Sequence, residues 1–488
     1  MRGMFWAAMA ASVAWSGAAY AKPIPERQKR EILAEVDGAA PQISEIALKL
    51  WAKPELGYLE QEGSALLQKT LREAGFSVEP GVAGLPTAFV ASFKTGEGPV
   101  IAILAEFDAL PGMAQAAVPH REGAGPGPGH ACGHNLFGAG SVGAAMAVKD
   151  WMQRNGVKGE IRLYGTPAEE GGGGKVYMVR AGLFKDVDVT LHWHASDANS
   201  AAQDVSAANQ SGKFRFYGQA AHAAAAPDRG RSAVDAAEIH DVIVNFMREH
   251  IPDRTRIHNV LTSAGSAPNV VPDFAESYYY VRQLDPAVVT AVMERVKRAA
   301  DGAALATETK VEFELVNGVY GLLPNDALGR VMDANLRLVG PPRWTAEEVE
   351  FAKTIAATLP PRQTPPPPET AIQAYGTTGD GLGSTDVGDV SYVTPTVGLR
   401  VATWAPGTPS HSWQAVAASG SSLGAKGAVV AAKTLALTAA DLFRSPETIA
   451  AAKQELDRRR GPGFVYRSLA GERKPPLDYR RAGGGEQR

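Results

Sequence analysis

Apolar and polar residues along the chain follow two periods, and the places where the period changes mark the elements. From about Glu26 to Trp51 the apolar positions recur at helical spacing, with Ile43, Ile46, Ala47 and Leu50 on one face. Leu66, Leu67 and Leu71 mark a second helix, stopped by Gly75. The period then changes: Val100 to Leu104 is a short continuous apolar run, the mark of a buried strand, and it leads into Ala105-Glu106-Phe107-Asp108-Ala109-Leu110-Pro111-Gly112. Ser141 to Met152 reads as a helix, Ile161 to Tyr164 as a strand ending at Glu169 and Glu170, and Val187 to Leu191 as a strand ending at His192 and His194. Strands alternating with helices predict an α/β domain with a mainly parallel sheet, whose ligands gather beyond the carboxyl ends of the strands. The polar clusters all fall at those ends.

From about Ser211 the pattern becomes self-contained. Lys213 to Tyr217 alternates with Phe214 and Phe216 on one side, Ala233 to Arg248 is helical, and Arg256 to Thr262 and Ala275 to Arg282 read as strands. Pro286 to Ala300 is helical again, and Val311, Phe313 and Leu315 alternate. Strand, helix, strand, strand, helix, strand is the split βαβ order of a ferredoxin-like α+β domain. Residues 211–322 are therefore expected to be inserted into a catalytic domain built from 22–210 and 323–445. The second part carries a Pro-rich surface stretch, Leu359 to Pro368, and the apolar helix Ser421 to Phe443. Residues 446–488 are charged and end in Gly483-Gly484-Gly485-Glu486-Gln487-Arg488, the composition of a loosely held tail.

Composition narrows the class. With 488 residues two domains are expected, and 45% hydrophobic against 21% charged residues allow a full core and exclude a disordered chain. A formal net charge of -3 with no long basic run argues against a nucleic-acid partner. Arg2, the apolar run Met4 to Ala14 and the small residues around Tyr20 read as a leader of residues 1–21 cleaved after Ala21, which predicts export to the periplasm or beyond. No later stretch reads as a membrane helix, so no membrane partner is expected. One cysteine cannot form an internal disulfide, which leaves Cys132 as a structural passenger or a functional ligand.

That cysteine lies in Gly127-Pro128-Gly129-His130-Ala131-Cys132-Gly133-His134-Asn135, two positions from an imidazole and among glycines that let side chains crowd together. Cys and His are the usual ligands of zinc-like cations. Glu169 and Glu170, adjacent at a strand end and followed by four glycines, point in different directions, which suits one to bind a metal and the other to move a proton. His192 and His194 are expected to alternate across the extended chain, so that only one of them faces the cluster. His411 follows the turn signal Pro406-Gly407-Thr408-Pro409. Singly each signal is weak, because a lone cysteine is most often a small buried residue and most Glu pairs are solvated turns. Jointly, at the strand ends of one sheet, they point to a metal site.

The stretches Gly129 to Asn135, Pro167 to Gly174, Gln219-Ala220-Ala221-His222-Ala223, Gly230 to Ala236 and Asn269-Val270-Val271-Pro272 together resemble the M20 metallopeptidases. The likeness is to the amidohydrolase branch that includes aminobenzoyl-glutamate, hippurate and indole-acetyl-amino-acid hydrolases. It implies two divalent cations, zinc or manganese, in the catalytic domain, and an inserted domain that serves for dimerisation or as a lid. By position, the resemblance makes Cys132, His134, Glu170 and His411 metal ligands and Glu169 the carboxylate that moves the proton. It prefers His194 to His192 as the fifth ligand, because a histidine follows tryptophan in the aminobenzoyl-glutamate branch. Asn135 favours the same branch, while Ala195 departs from the proline usual there. His222 would be an oxyanion donor supplied by the second protomer of a homodimer, Asn269 a substrate contact, and Asp108 a carboxylate that orients the site. Arg282 is a candidate clamp for a substrate carboxylate, since guanidinium binds carboxylate bidentately.

The expected function is metal-dependent hydrolysis of the amide bond of N-acyl amino acids or small peptides. One rival is a metal-independent hydrolase in which Cys132, paired with His130 or His134, is the nucleophile. Another is an exported metal-binding relative that does not catalyse. The first leaves Glu169, Glu170 and His411 without a role, and the retained Glu169 argues against the second.

Overall fold

The computed structural model describes residues 23–480 apart from 124, 204, 364, 377–380 and 382; the expected leader and the terminal glycine run lie outside the described residues. The strands are β1 (Ser77–Pro80), β2 (Phe89–Lys94), β3 (Val100–Ala105), β4 (Glu160–Gly165), β5 (Val189–Ser196), β6 (Ala208–Tyr217), β7 (Arg256–Ala264), β8 (Phe274–Gln283), β9 (Lys310–Val319) and β10 (Thr396–Ala402). One sheet has the order β1-β2-β4-β3-β5-β10. Its members β4, β3, β5 and β10 run parallel, and β2 and β1 extend it antiparallel. Ile101 to Ala105 of β3 are all buried, which is why that run shows no alternation. The helix Glu26–Ala52 turns Ile32, Val36, Ile43, Ile46, Ala47 and Leu50 inward and packs with the helices His134–Asn155 and Ser422–Phe443.

The 22-residue helix Ser422–Phe443 corrects one expectation, since it is long and apolar enough to cross a membrane. Yet 83% of its most apolar window is buried inside the protein, so its hydrophobicity serves the core. The terminal segment corrects another. Residues Pro446–Arg460 form a helix and residues 464–480 pack back on the molecule, burying Ile449, Leu456, Leu469 and Ala470. The charges there are the outward faces of elements whose apolar residues are thinly spaced, a pattern that composition alone conceals.

The second sheet has the order β7-β8-β6-β9 with every neighbour antiparallel, and the helices Ala233–Met247 and Pro286–Ala306 pack on it. This is the expected split βαβ arrangement with its own core, which includes Phe214, Phe216, Tyr279 and Val296. β6 opens at Ala208, ahead of the boundary expected at 211. After β9 the helix Asp326–Val339 returns Leu328, Met332 and Leu336 to the first core.

Candidate metal centre

The carboxyl ends of the parallel strands deliver the polar side chains to one place. β3 leads into Glu106 and Asp108, β4 into Glu169 and Glu170, and β10 precedes the turn that carries His411. Cys132 and His134 flank Gly133, whose φ of 73° admits the tight entry into the helix His134–Asn155. A Cβ at Gly133 would stand 2.5 Å from that of Ala195, so the loop can pass this close to β5 only without a side chain.

Cys132, His134 and His194 offer donor atoms within 4.8 Å of one another, and so do Cys132, Glu170 and His411. Cys132 therefore stands between two donor groups, with its Sγ 3.5 Å from His194 Nε2. His134 Nδ1 lies 2.8 Å from Asp108 Oδ1, and the other Asp108 oxygen accepts from the Glu170 backbone N–H at 2.9 Å. Asp108 thus fixes the orientation of one donor and the backbone of another. His194 Nδ1 lies 2.7 Å from the carbonyl of Ala195, which assigns that nitrogen the proton and leaves the Nε2 lone pair facing the sulfur.

Three buried atoms test whether the set suits a cation. Glu106 Oε2, His134 Nε2 and Glu170 Oε1 have no hydrogen-bond partner. Glu106 Oε2 and His134 Nε2 approach to 3.1 Å, and Glu170 Oε1 and His411 Nε2 to 3.2 Å, as charge contacts without hydrogen-bond geometry. Orphaned buried acceptors cost about 1–3 kcal/mol each, and cations among them remove that cost. Thiolate, imidazole and carboxylate together form a donor set for a divalent transition metal, so the residues fit such ions.

The electrostatics follow from this crowding. Burial pushes Glu169 well up, and Glu106 and Glu170 push it further. Burial works against ionisation of Glu170 too, but His411 and His134 outweigh it and hold that carboxylate below its usual range. Burial pulls His134 down, yet Asp108 and Glu106 overcome this and raise it well above an ordinary imidazole. The Cys132 thiol is pushed up by burial and then by Glu170, the opposite of what a thiol nucleophile requires. His130 is turned away, its Nε2 3.2 Å from the carbonyl of Leu50.

Every expected ligand lies in this cluster, but the expectation for β5 needs correction. The strand runs through to Ser196, so His192 and His194 lie within it rather than beyond its end. Residues two apart in a strand share a face. Both histidines line the cavity accordingly, while Trp193 is buried on the other face and donates to the carbonyl of Phe137 at 3.1 Å. His192 sits against Gly398 of β10, where a Cβ would stand 2.4 Å from its ring, and His194 alone joins the donor groups.

Two left-handed non-glycine residues, Ala168 at φ 57° and His411 at φ 57°, adjoin the cluster, a conformation sustained only where surroundings impose it. Ala168 N donates to Glu60 Oε1 at 2.8 Å, and Glu60, pushed up to about 8 by burial and Asp108, also accepts from Thr87 at 2.9 Å. Sequence reasoning passed over Glu60. It also passed over Glu106, two residues from Asp108, and the fully buried Lys175, which pairs with Glu106 at 2.7 Å and with Asp386 at 2.7 Å. The signal for Lys175 was its place directly after the glycine run; Asp386 had none.

The cluster opens onto a cavity of about 950 Å³ also lined by Arg282, Arg362, Arg400 and Arg480. Arg282 Nη1 lies 3.3 Å from Ser384 Oγ, and its guanidinium stands 5.5 Å from the Tyr280 ring centre. His222 and Asn269 are not part of this cavity. They sit together on the second domain, where Ala223 N donates to the Asn269 carbonyl at 3.0 Å, and the His222 Nδ1 accepts from Ala224 N and Ala225 N at 3.2 Å.

Residues 102–378 match peptidase family M20/M25/M40. The chain is 38% identical over 443 residues to one of the component chains of the p-aminobenzoyl-glutamate hydrolase of Escherichia coli (strain K12), covering 84% of this chain and 91% of that one. It is 30% identical to the Xaa-Arg dipeptidase of Mus musculus, over 88% of this chain and 92% of that one. Among solved structures, a Bacillus subtilis protein described as a dinuclear metal binding peptidase shares the fold at a TM-score of 0.57 and 20% identity, covering 83% of this chain and 98% of that one. An aminobenzoyl-glutamate utilization protein from Klebsiella pneumoniae does so at a TM-score of 0.57 and 19% identity, covering 83% and 96%.

Proposed function

The chain belongs to peptidase family M20/M25/M40 and is a metal-dependent hydrolase of amide bonds; we propose that its substrate joins an acyl or aryl group to an amino acid, or is a small peptide, and that two divalent ions, zinc or manganese, serve it. The observation that carries the reading is the convergence of Cys132, His134, Glu170, His194 and His411 around buried atoms that lack partners. The guanidinium groups of Arg282, Arg362 and Arg400 along the cavity suit a product bearing a carboxylate, and Arg282 is the clamp we assign. The p-aminobenzoyl-glutamate and Xaa-Arg relatives make those two compound types the first to try.

When bound, the cations supply Lewis acidity that polarises the scissile carbonyl and lowers the pKa of water. Glu169, beside the ligand Glu170, takes the proton of the attacking water and returns it to the departing nitrogen. Asp108 keeps His134 in one tautomer, and Cys132 spans the two donor groups.

His222 completes the site from a second protomer, as an oxyanion donor, and Asn269 beside it meets the substrate. The support is the exposure of Val242 and Phe246 on the helix Ala233–Met247, to 52% and 75%, and of Val260, to 56%, on β7 at the open edge of its sheet. Apolar exposure on this scale, next to an unpaired strand edge, marks a pairing surface. Cleavage of a leader after Ala21 and export belong to the same proposal, supported by the residue pattern there.

The test is a hydrolysis screen of p-aminobenzoyl-glutamate, N-acyl amino acids and dipeptides with added zinc, manganese or cobalt. Turnover that disappears with a chelator and returns with metal is expected. No turnover with any ion on any of these compounds overturns the substrate assignment.

A further inference from the structure

The glycine loop after β4 presents three successive carbonyls, and each is met by a different part of the chain. Tyr58 Oη donates to the Gly172 carbonyl at 2.8 Å, and Asn317 Nδ2, on β9, donates to that of Gly171 at 3.3 Å. The Glu170 carbonyl accepts twice, from Tyr479 Oη at 3.0 Å and from Arg480 Nη2 at 2.8 Å. A carbonyl oxygen has two lone pairs, so the end of the chain saturates this one. Ala168 at φ 57° and Gly171 at φ 90° bracket the two glutamates in left-handed backbone. A loop of this shape keeps its conformation only while contacts outside it hold it.

The segment that supplies those donors spans both domains. Tyr466 Oη donates to Asp389 Oδ1 at 2.6 Å in the catalytic domain. Gln210 Nε2 of β6 donates to the Leu469 carbonyl at 2.8 Å, and Arg473 donates to the Val316 carbonyl and pairs with Glu314 at 3.0 Å, both on β9. Arg180 Nη1 then donates to the Arg473 carbonyl at 2.6 Å, and the Tyr479 ring packs edge-on against Tyr58 at 5.7 Å. The strap leaves the catalytic domain, crosses the second domain and returns to the loop that carries the glutamates.

We propose that Tyr479 and Arg480 are positioning residues for amide hydrolysis: they hold the Glu169 and Glu170 turn against Cys132 and His411, and the strap ties that geometry to the seating of the second domain. The inference rests on the proposed roles of Glu169 and Glu170.

The experiment uses the full chain and its Arg480→Met, Arg480→Lys and Tyr479→Phe variants, stripped with chelator and titrated with zinc, then assayed on the best amide from the screen. Losing an outer hydrogen bond to a metal-site group costs about 10–100-fold in metal affinity or activity. Arg480→Met should weaken one zinc-binding step and lower kcat by about tenfold or more, with KM within about twofold, and Arg480→Lys should recover part of both. Tyr479→Phe removes a single O–H and should lower the same two quantities less; it carries the test if Arg480→Met fails to fold by circular dichroism. Zinc steps and kcat equal to the unaltered protein in the folded variants, or a rise in KM alone, would overturn the proposal. An unaltered protein that binds fewer than two zinc ions, or cuts none of the amides, sinks the underlying reading instead.

Discussion

His240 offers a stability prediction whose size can be worked out from its surroundings. It lies on the helix Ala233–Met247, fully buried between the rings of Phe214 at 4.8 Å and Tyr279 at 4.7 Å. Its Nε2 lies 3.1 Å from the Val296 carbonyl, while Nδ1 is buried without a partner, so a second proton would have nothing to bond. Burial holds the imidazole down at about 4, against an ordinary 6.5. The sign follows: between pH 6.5 and 4 the unfolded chain binds a proton that the folded one refuses. Stability is therefore fully present above 6.5 and is lost as pH falls toward 4. At roughly 1.4 kcal/mol per pH unit the loss is about 1.4 kcal/mol by pH 5.5 and about 3 kcal/mol by pH 4.

Residues 208–319 contain no tryptophan, so tryptophan fluorescence does not report on the second domain. Urea unfolding followed by circular dichroism at fixed protein concentration is the suitable assay, comparing the protein with His240→Gln. Glutamine keeps a donor for the Val296 carbonyl and does not titrate. The difference in stability between the two should shrink by about 3 kcal/mol from pH 7 to pH 4, because other titrating groups cancel. Parallel pH profiles would refute the reasoning.

Four further outcomes are expected. Glu169→Gln should keep the fold and both metals while turnover falls by about 10²–10⁴-fold, and near-normal turnover at full metal loading would remove Glu169 from its role. Cys132→Ser should lower metal retention, since an alcohol is a poor anionic ligand; unchanged stoichiometry and affinity by metal analysis would return the cysteine to a passenger. Mixing inactive Glu169→Gln with inactive His222→Ala should restore activity as protomers exchange, because some sites then combine both unaltered residues; proven exchange without activity would rule out donation across a dimer. Phe246→Glu should shift the proposed dimer to monomer in sedimentation, and an unaltered protein that is itself monomeric, or a variant that stays dimeric, would overturn the pairing surface proposed.

The sequence made some parts of this protein easy to read and hid others for physical reasons. β3 and the helix Glu26–Ala52 were legible because burial of whole strands and of one helix face leaves a plain apolar record. β10 was not, because its apolar run from Thr396 to Ala402 is interrupted by Gly398 and by the exposed Arg400. The metal-site candidates stood out through rare residue types at strand ends. Lys175 and Asp386 did not, because a buried ion pair looks in sequence like two surface charges, and its members are 211 residues apart. The role of the tail was hidden for a related reason: Tyr479 and Arg480 act through a backbone carbonyl, and carbonyls leave no trace in a residue pattern. The error over His192 and His194 was one of period, since alternate strand positions share a face.

The looped-out second domain also sets an order of assembly. Its strands and helices are contiguous from Ala208 to Val319, so it can complete a core while later residues are still being synthesised. The catalytic sheet cannot, because β5 must wait for β10, whose Thr396 pairs with Thr190. His411 arrives later still, and the donors at Tyr479 and Arg480 last of all. A ribosome-bound chain thus carries Cys132, His134 and Glu170, with Asp108 already present to orient two of them, for most of its elongation without His411 or the donors at Tyr479 and Arg480. Contacts this distant in sequence also make folding of the catalytic half slow relative to the insertion. The donor group that includes His411 is accordingly completed late, and a refolding experiment should show the insertion forming before that group can retain a cation.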